Sequence, residues 1–264
     1  MDHLDALEAE SIFILREAFR RVQPLGMLWS LGKDSNTLIW LAMKAFLGRV
    51  PFPVAHLDTG LEFDETYAFR DWAVKEWNLR LIADPCPPIE EVDASLPPAS
   101  RLAGRKSLGL TQAIQRHGFR GLILGIRRDE QATRAKERVF SPRADDGQWD
   151  VATQPPELWD LFTADYPQGT HLRIHPLLSW TELDIWRYTL RENIPVVPLY
   201  FARNGERYRS LGEKGITMPV KSNAATIPEI IAELEETVEP ERAGRVMDHD
   251  SEHAFERLRV HGYM

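Results

Sequence analysis

The hydrophobic pattern of the chain switches repeatedly between helical spacing and short buried runs. Apolar residues at helical spacing predict helices at about residues 3–21, from Asp34 or Ser35 onward, at 64–77 and at 109–118. Either Asp34 or Ser35 is predicted to cap the second of these helices. Short apolar runs between them predict strands at 25–31, 52–60, 79–85 and from residue 120, the last running into a charged turn. Strands that alternate with helices have right-handed crossovers and form a parallel sheet. We therefore predict an α/β fold with a parallel sheet flanked by helices.

Composition restricts the setting of this fold. A chain of 264 residues, 43% of them hydrophobic, buries a substantial core, and its length allows one large domain or two small ones. The net charge of -8 argues against non-specific binding to nucleic acid or to an anionic membrane. With no long apolar run and an acidic, polar N-terminus, we predict a cytoplasmic protein that spans no membrane. The single cysteine, Cys86, excludes an intramolecular disulfide and a cysteine-ligated Fe-S cluster.

Polar signatures follow three of the predicted strands. They are "SLGKDS" at 30–35, "HLDTG" at 56–60 and "GIRRDE" at 125–130. Each alone fits a simple capping turn. Ligands of open parallel sheets, however, bind beyond the carboxyl ends of the strands, so the joint placement of the three predicts one site.

The first signature has the properties of an anion-binding loop. Gly32 allows close approach to the backbone, Ser30, Lys33 and Ser35 supply donors, and the following helix N-terminus favours negative charge. A helix terminus contributes only about 0.3–1 kcal/mol, so a polyanion needs more cations. The run "GIRRDEQATRAKER" supplies them in Arg127, Arg128, Arg134, Lys136 and Arg138. Its alternative interpretation is a solvated, ion-paired helix face, but the run begins at a strand end.

The loop resembles a known motif. Residues 30–35 match SxGxDS, the pyrophosphate loop of the adenine nucleotide alpha hydrolase-like superfamily, whose Rossmann-like members cleave ATP between the alpha and beta phosphates. Nearly the whole chain is similar to the small catalytic subunits of bacterial heterodimeric ATP sulfurylases (sulfate adenylyltransferases). The similarity includes the segments "LEAESIFILRE", "GIRRDEQATRAKERVFSPR" and "HPLLSWTELDIWRY" and the closing "GYM".

The resemblance implies the conversion of ATP and sulfate to adenosine 5'-phosphosulfate and pyrophosphate. It assigns residues of the loop to pyrophosphate or its Mg²⁺, with Asp34 as the metal ligand: Ser30, Gly32, Lys33, Asp34 and Ser35. Lys33 and the residues of the charged run would act on the phosphates and sulfate: Arg127, Arg128, Asp129, Arg134 and Arg138. Asp58 and Thr59 would face adenine and ribose, although a strand-end aspartate also caps turns.

The resemblance also implies a partner, the GTPase large subunit of ATP sulfurylase, in a heterodimer. We expect an ATP-binding domain over residues 1–200 and a C-terminal extension over 201–264 for contacts with partner or substrate. Two features depart from the family: the short "RNGE" connection at 203–206, and Glu213 where cysteine is common.

In the segment "SWTELDIWRY", four residues are predicted to pack in the core: Trp180, Ile185, Trp186 and Tyr188. Thr181 and Asp184 are predicted to cap a helix there. In the tail, Asp248, His249, Asp250 and His253 are interpreted as a solvated polar segment.

The sequence bears on three other functions. A reductase of adenylyl sulfate needs a reactive thiol, but Cys86 lies in the proline-flanked "DPCPPIE" and the C-terminal "RLRVHGYM" has no cysteine. A non-catalytic binding module is disfavoured because Ser30, Lys33 and Asp34 are all intact. Adenylyl transfer to another oxyanion or to a biosynthetic intermediate stays open.

Overall fold

A six-stranded sheet forms the centre of the molecule. The computed structural model describes residues 2–96, 98–131, 134–144, 149–150, 152, 154–159, 161–164, 169–239 and 241. The strands are β1 (Leu25–Leu28), β2 (Val54–Asp58), β3 (Leu81–Pro85), β4 (Gly121–Ile123), β5 (Phe140–Ala144) and β6 (Thr170–Ile174), in the spatial order β3-β2-β1-β4-β6-β5. All neighbours pair in parallel except β5, which runs antiparallel to β6 at the edge.

Helices cover both faces of the sheet. They are α1 (His3–Arg21), α2 (Lys33–Ala45), α3 (Asp64–Glu76), α4 (Pro98–His117), α5 (Glu182–Glu192) and α6 (Ile227–Glu236). A two-stranded hairpin of β7 (Glu206–Arg207) and β8 (Val220–Lys221) precedes α6, and α6 packs against α5. Among the described helices, none is both long and apolar enough to cross a membrane.

Neighbouring strand residues point into two different hydrophobic cores. Met27 and Val54 join the larger core, which α1, α2, α3 and α5 cover. Leu28 and Ala55, each the next residue along its strand, join the smaller core on the opposite face, against Leu110 and its neighbours on α4. Successive side chains of a strand point to opposite faces of the sheet. A fully apolar strand such as β1 therefore has buried side chains on both faces. This explains why continuous apolar runs, rather than alternating ones, marked the inner strands.

Most of the predicted elements are confirmed, with one large difference in extent. The predicted helices at 3–21 and 64–77 are α1 and α3, and the four predicted strands are β1 to β4. The helix expected at 109–118 begins eleven residues earlier, at Pro98. Proline suits the first helical turn, where its missing N–H has no intrahelical partner.

Strands β5 and β6 were not predicted because polar and charged residues are buried along them beside the apolar ones. His171 and Arg173 alternate with Leu172 and Ile174 along β6, and all four side chains are buried. Hydrophobicity alone therefore gave no strand signal there.

The predicted cap of α2 was wrong. Neither Asp34 nor Ser35 occupies the N-cap position, which belongs to Gly32 and has no side-chain cap. Asp34 and Ser35 lie in the first helical turn instead, where the Ser35 hydroxyl donates to the Gly32 carbonyl at 3.0 Å. The two side chains thereby face the loop rather than terminate the helix.

The predictions for α5 are confirmed. Thr181 is its N-cap and forms a capping box with Asp184. The predicted packing residues are buried: Trp180, Ile185, Trp186 and Tyr188. The proposed division of the chain at residue 200 stays a prediction, and the tail residues Asp248, His249, Asp250 and His253 lie outside the described residues.

Candidate active site

The loop between β1 and α2 is held by its own hydroxyl and amide groups. The Ser30 hydroxyl donates to Ser35 Oγ at 3.2 Å, and the Trp29 indole donates to Asn36 Oδ1 at 2.8 Å. The left-handed backbone conformation falls on Leu31, with φ of 65°, and not on Gly32. Gly32 has a different use, since a Cβ there would point into the cleft, 3.4 Å from the Tyr200 hydroxyl. The glycine keeps the helix N-terminus accessible to a ligand.

The end of β4 lies directly against this loop. A Cβ on Gly125 would come within 3.2 Å of the backbone carbon of Asp34 and the backbone nitrogen of Ser35. Only glycine therefore allows the two segments to approach so closely. Because β1 and β4 are neighbours in the sheet, two of the three polar signatures meet, as predicted.

Lys33 is buried among carboxylates. Its ammonium contacts Glu241, lies 3.7 Å from Glu182 Oε1 and 3.8 Å from Asp34 Oδ2, and donates to the Arg209 carbonyl at 3.2 Å. Burial alone would lower the pKa of Lys33, but the charges of Glu241 and Glu182 outweigh it and raise the pKa above its ordinary value. Lys33 is therefore a permanent cation at the helix N-terminus.

Arg127 provides a second buried cation beside the loop. Its guanidinium contacts Asp34 and Glu241, and its Nε donates to Asp129 Oδ1 at 2.9 Å. Asp129 also accepts a hydrogen bond, at 2.7 Å, from the backbone N–H of Glu182, which is the first residue of α5. Asp129 thus orients Arg127 and fixes α5 to the end of β4.

The rest of the arginine run divides between the cleft and its surroundings. Arg134 is buried, pairs with Glu130, and both residues line the cleft. Arg128 is exposed and its Nη2 lies 3.5 Å from the Glu137 carbonyl, whereas Arg138 donates to the Pro155 carbonyl at 3.1 Å. The described part of this segment contains no α-helix, so the alternative of a solvated helix face does not hold. The catalytic roles of Arg128 and Arg138 stay predictions.

Asp58 and Thr59 form the turn after β2. Asp58 accepts from Gly60 N at 2.8 Å and from the Tyr67 hydroxyl at 2.6 Å. Burial opposes its ionisation, but these two hydrogen bonds outweigh burial and lower the pKa of Asp58. Thr59 is buried, and its carbonyl accepts from Arg105 Nη2 at 3.2 Å. The contact of Asp58 with Gly60 N is the turn cap considered from sequence, and contact of Asp58 or Thr59 with a nucleotide stays a prediction.

A cleft of about 180 Å³ opens beside the loop. Its walls combine apolar side chains with charged ones. The apolar residues are Leu28, Ala103, Leu124, Ile126, Leu211 and Ile216. The combination suits a ligand with an apolar ring and an anionic tail.

Sequence reasoning missed the ion pairs in and around this cleft. Lys106 of α4 lies 3.1 Å from Glu62 Oε1 and 3.0 Å from Glu213 Oε1. Glu182 and Glu241 contact or approach Lys33 from elements far along the chain. No local pattern identifies these partners, because each pairing depends on which elements pack together.

Two observations concern cofactors and thiols. The described residues contain no group of three or more His, Cys, Asp or Glu side chains suited to a metal ion. Cys86 is buried, and burial raises the pKa of its thiol to about 11. A thiol with that pKa is protonated and unreactive at neutral pH.

Comparison with known proteins first gives the class of this chain, which contains a phosphoadenosine phosphosulfate reductase domain. A family model described as the phosphoadenosine phosphosulfate reductase domain matches residues 24–219. Among solved structures, the chain is similar to Candida glabrata FMN adenylyltransferase in complex with ATP, with a TM-score of 0.58, 19% identity and coverage of 92% of this chain and 87% of that one. It is also similar to a phosphoadenylyl-sulfate reductase of Candida auris, with a TM-score of 0.53, 16% identity and coverage of 82% and 96%. These likenesses confirm the Rossmann-like α/β fold.

Closer relatives identify the family. Sulfate adenylyltransferase subunit 2 of Colwellia psychrerythraea (strain 34H) is 40% identical, covering 100% of this chain and 99% of that protein. The protein of the same name from Rhodopseudomonas palustris (strain BisA53) is 42% identical, with coverage of 99% and 90%. This chain belongs to the sulfate adenylyltransferase subunit 2 family, which confirms the resemblance noted in its sequence.

Proposed function

We propose that this chain transfers the adenylyl group of ATP to sulfate, forming adenosine 5'-phosphosulfate and pyrophosphate. The observation that carries the proposal is the SxGxDS loop, with buried Lys33 and Arg127 beside an open cleft, in a chain of this family. A sulfate oxygen attacks the alpha phosphorus, the bond to the bridging oxygen of the beta phosphate breaks, and pyrophosphate leaves toward the loop. This displacement needs no covalent enzyme intermediate.

Charge repulsion is the main barrier that the site must lower. Two like unit charges 4 Å apart repel by about 4 kcal/mol at an effective dielectric constant of 20, and here a sulfate dianion approaches a triphosphate. Lys33 and Arg134 line the cleft, and Arg127 is buried directly beside it, in contact with the lining residues Asp34 and Glu241. Ser30, Ser35 and the N–H groups of Asp34 and Ser35 in the first turn of α2 add hydrogen-bond donors for the leaving group, whereas the Lys33 N–H donates to the Tyr200 hydroxyl at 2.9 Å.

Asp34 is the residue that we assign to Mg²⁺. Magnesium is commonly held by one or two carboxylates together with substrate phosphates, so a full protein cage is not required. Asp34 is partly exposed, lines the cleft and lies in the first turn of α2, where bound phosphates would complete the coordination. Mg²⁺ bound with ATP would supply neutralisation of phosphate charge. Asp34, which contacts Arg127 in this structure, would hold the metal through its carboxylate.

The proposal also includes a partner subunit and a cellular location for this chain. Relatives carry the name "subunit 2", which supports a heteromeric enzyme in which this chain binds ATP and sulfate. We propose the GTPase large subunit of ATP sulfurylase as the partner in a heterodimer, in the cytoplasm. Copurification of the two chains from the native host would test the pairing.

A reductase activity is not supported by the one thiol of the chain. Cys86 is buried and its pKa is raised to about 11, the opposite of the low pKa that a nucleophilic cysteine needs. Transfer to another oxyanion keeps every role of the loop and differs only in the nucleophile.

The decisive experiment measures pyrophosphate release from ATP and Mg²⁺ by the chain together with its GTPase partner and GTP. We expect release to require sulfate, to yield adenosine 5'-phosphosulfate and to be lost in Lys33→Met. Lys75→Met, which removes an exposed lysine of α3, is the matched control and should keep full activity. Release with selenate or molybdate but not with sulfate would assign another oxyanion, and no oxyanion-dependent release would refute the proposal.

A further inference from the structure

Glu241 lies in the cleft although it is far from the loop along the chain. Its two carboxylate oxygens contact different cations: Oε1 accepts from Lys33 Nζ, and Oε2 accepts from Arg127 Nη2. The Glu241 side chain is 5% exposed and lines the cleft. A single carboxylate therefore bridges the two cations that the proposed function assigns to pyrophosphate.

Lys33 depends on Glu241 more than on its other acidic neighbours. Glu182 and Asp34 lie 3.7 and 3.8 Å from the ammonium, beyond hydrogen-bond distance. Within the described residues, Glu241 is the carboxylate that hydrogen bonds to Lys33. A buried ammonium without such an acceptor is costly, so Glu241 satisfies Lys33 when no ligand is bound.

Among the residues that the structure describes, the segment that carries Glu241 contributes no side chain to either hydrophobic core. We call residues 237–239 and 241 the C-terminal segment, which follows α6. Arg209 Nη1 donates to the Glu239 carbonyl at 2.9 Å, and the Thr237 hydroxyl donates to the Glu233 carbonyl at 2.8 Å. Val238 is 97% exposed. Displacement of these described residues therefore removes no side chain from a packed core.

We propose that Glu241 occupies the position of a phosphate group and makes the pyrophosphate position selective for polyanions. The inference rests on the proposed function, which places pyrophosphate at Lys33 and Arg127. A polyphosphate must displace the carboxylate, because two anions cannot share the same pair of cations without strong repulsion. Pyrophosphate offers two charged groups, enough to take both cations and the N–H groups of α2. Sulfate offers one, so Glu241 keeps this co-substrate out of the position that the leaving group needs.

Calorimetric titration with inorganic pyrophosphate and Mg²⁺ tests the displacement on the full chain and on Glu241→Gln. Glutamine keeps the shape and an acceptor oxygen but loses the charge, and charged hydrogen bonds are about twice as strong as neutral ones. Because the ligand then displaces weaker contacts, we expect pyrophosphate to bind about tenfold more tightly, or better. Sulfate should also compete with pyrophosphate more effectively in this variant. Glu239→Gln makes the same charge change at an exposed side chain and should bind like the unmodified chain.

Equal or weaker binding of pyrophosphate by Glu241→Gln, at an unchanged melting temperature, would overturn the inference and leave the proposed function standing. If pyrophosphate binds neither protein, the anion site itself is refuted and the proposed function falls too.

A second measurement does not alter Glu241. Spin labels at Val238→Cys and Leu47→Cys, both exposed positions, report the distance between the C-terminal segment and the end of α2, while buried Cys86 stays unlabelled. Pyrophosphate should change that distance distribution, and an unchanged distribution at saturation contradicts displacement.

Discussion

Replacing Lys106 by methionine should destabilise the protein far more than replacing an ordinary surface lysine. Lys106 lies between Glu62 and Glu213, with its ammonium 3.1 and 3.0 Å from their carboxylate oxygens. The two glutamate side chains are only 4% and 2% exposed, whereas that of Lys106 is 27% exposed. Methionine fills the volume of the lysine stem but leaves two buried carboxylates without their cation.

The expected loss follows from that burial. Removing one partner of a buried ion pair typically costs 3–5 kcal/mol, because the remaining charge is uncompensated. The partial exposure of Lys106 lets water reach the site, so we expect the lower end, about 3 kcal/mol. For a chain of this size each kcal/mol shifts the melting temperature by about 2–4 °C, which predicts a decrease of about 6–12 °C.

Urea unfolding at pH 7 would measure the change, with Lys214→Met as the matched control. Lys214 pairs with Asp64 at 2.9 Å, but these side chains are 49% and 92% exposed, so its loss should cost under about 1 kcal/mol. In the double variant Lys106→Met/Glu213→Gln, one buried charge is gone and part of the stability should return. A loss below about 1 kcal/mol for Lys106→Met, equal to that of the control, would refute the idea that this cluster is effectively buried.

Three further predictions concern the core and the site. Burial depresses the pKa of His175 to about 4, so its contribution to stability is fully present above about pH 6.5 and is lost as the pH falls through 4. The free energy of unfolding of His175→Asn should therefore fall less steeply between pH 6.5 and 4.5, by up to about 1.4 kcal/mol per pH unit, and equal slopes would contradict the assignment. Gly125→Ala places a Cβ 3.2 Å from the backbone of Asp34, so the displaced loop should lower kcat/KM for sulfate-dependent pyrophosphate release about tenfold or more, and full activity would show that the loop tolerates the shift. Cys86→Ala should keep adenylyl transfer at the level of the unmodified chain, and its loss would implicate the thiol.

The sequence alone determined the order of the first elements and the location of the anion loop. Both depend on neighbours along the chain: buried runs mark β1 to β4, and "SLGKDS" carries its glycine, donors and helix start within six residues. The arginine run was found by the same local reasoning, because it begins where β4 ends. Parallel pairing of β1 and β4 then brings these two signatures together.

Only the tertiary structure decided which charges meet. Lys33 and Glu241 are 208 residues apart, and Lys106 joins Glu62 and Glu213 from separate elements. Such pairs form because packing buries both charges at short range, where each must be compensated, and no local period records that requirement. The same reason hid β6, whose His171 and Arg173 are buried by their neighbours rather than by their own hydrophobicity.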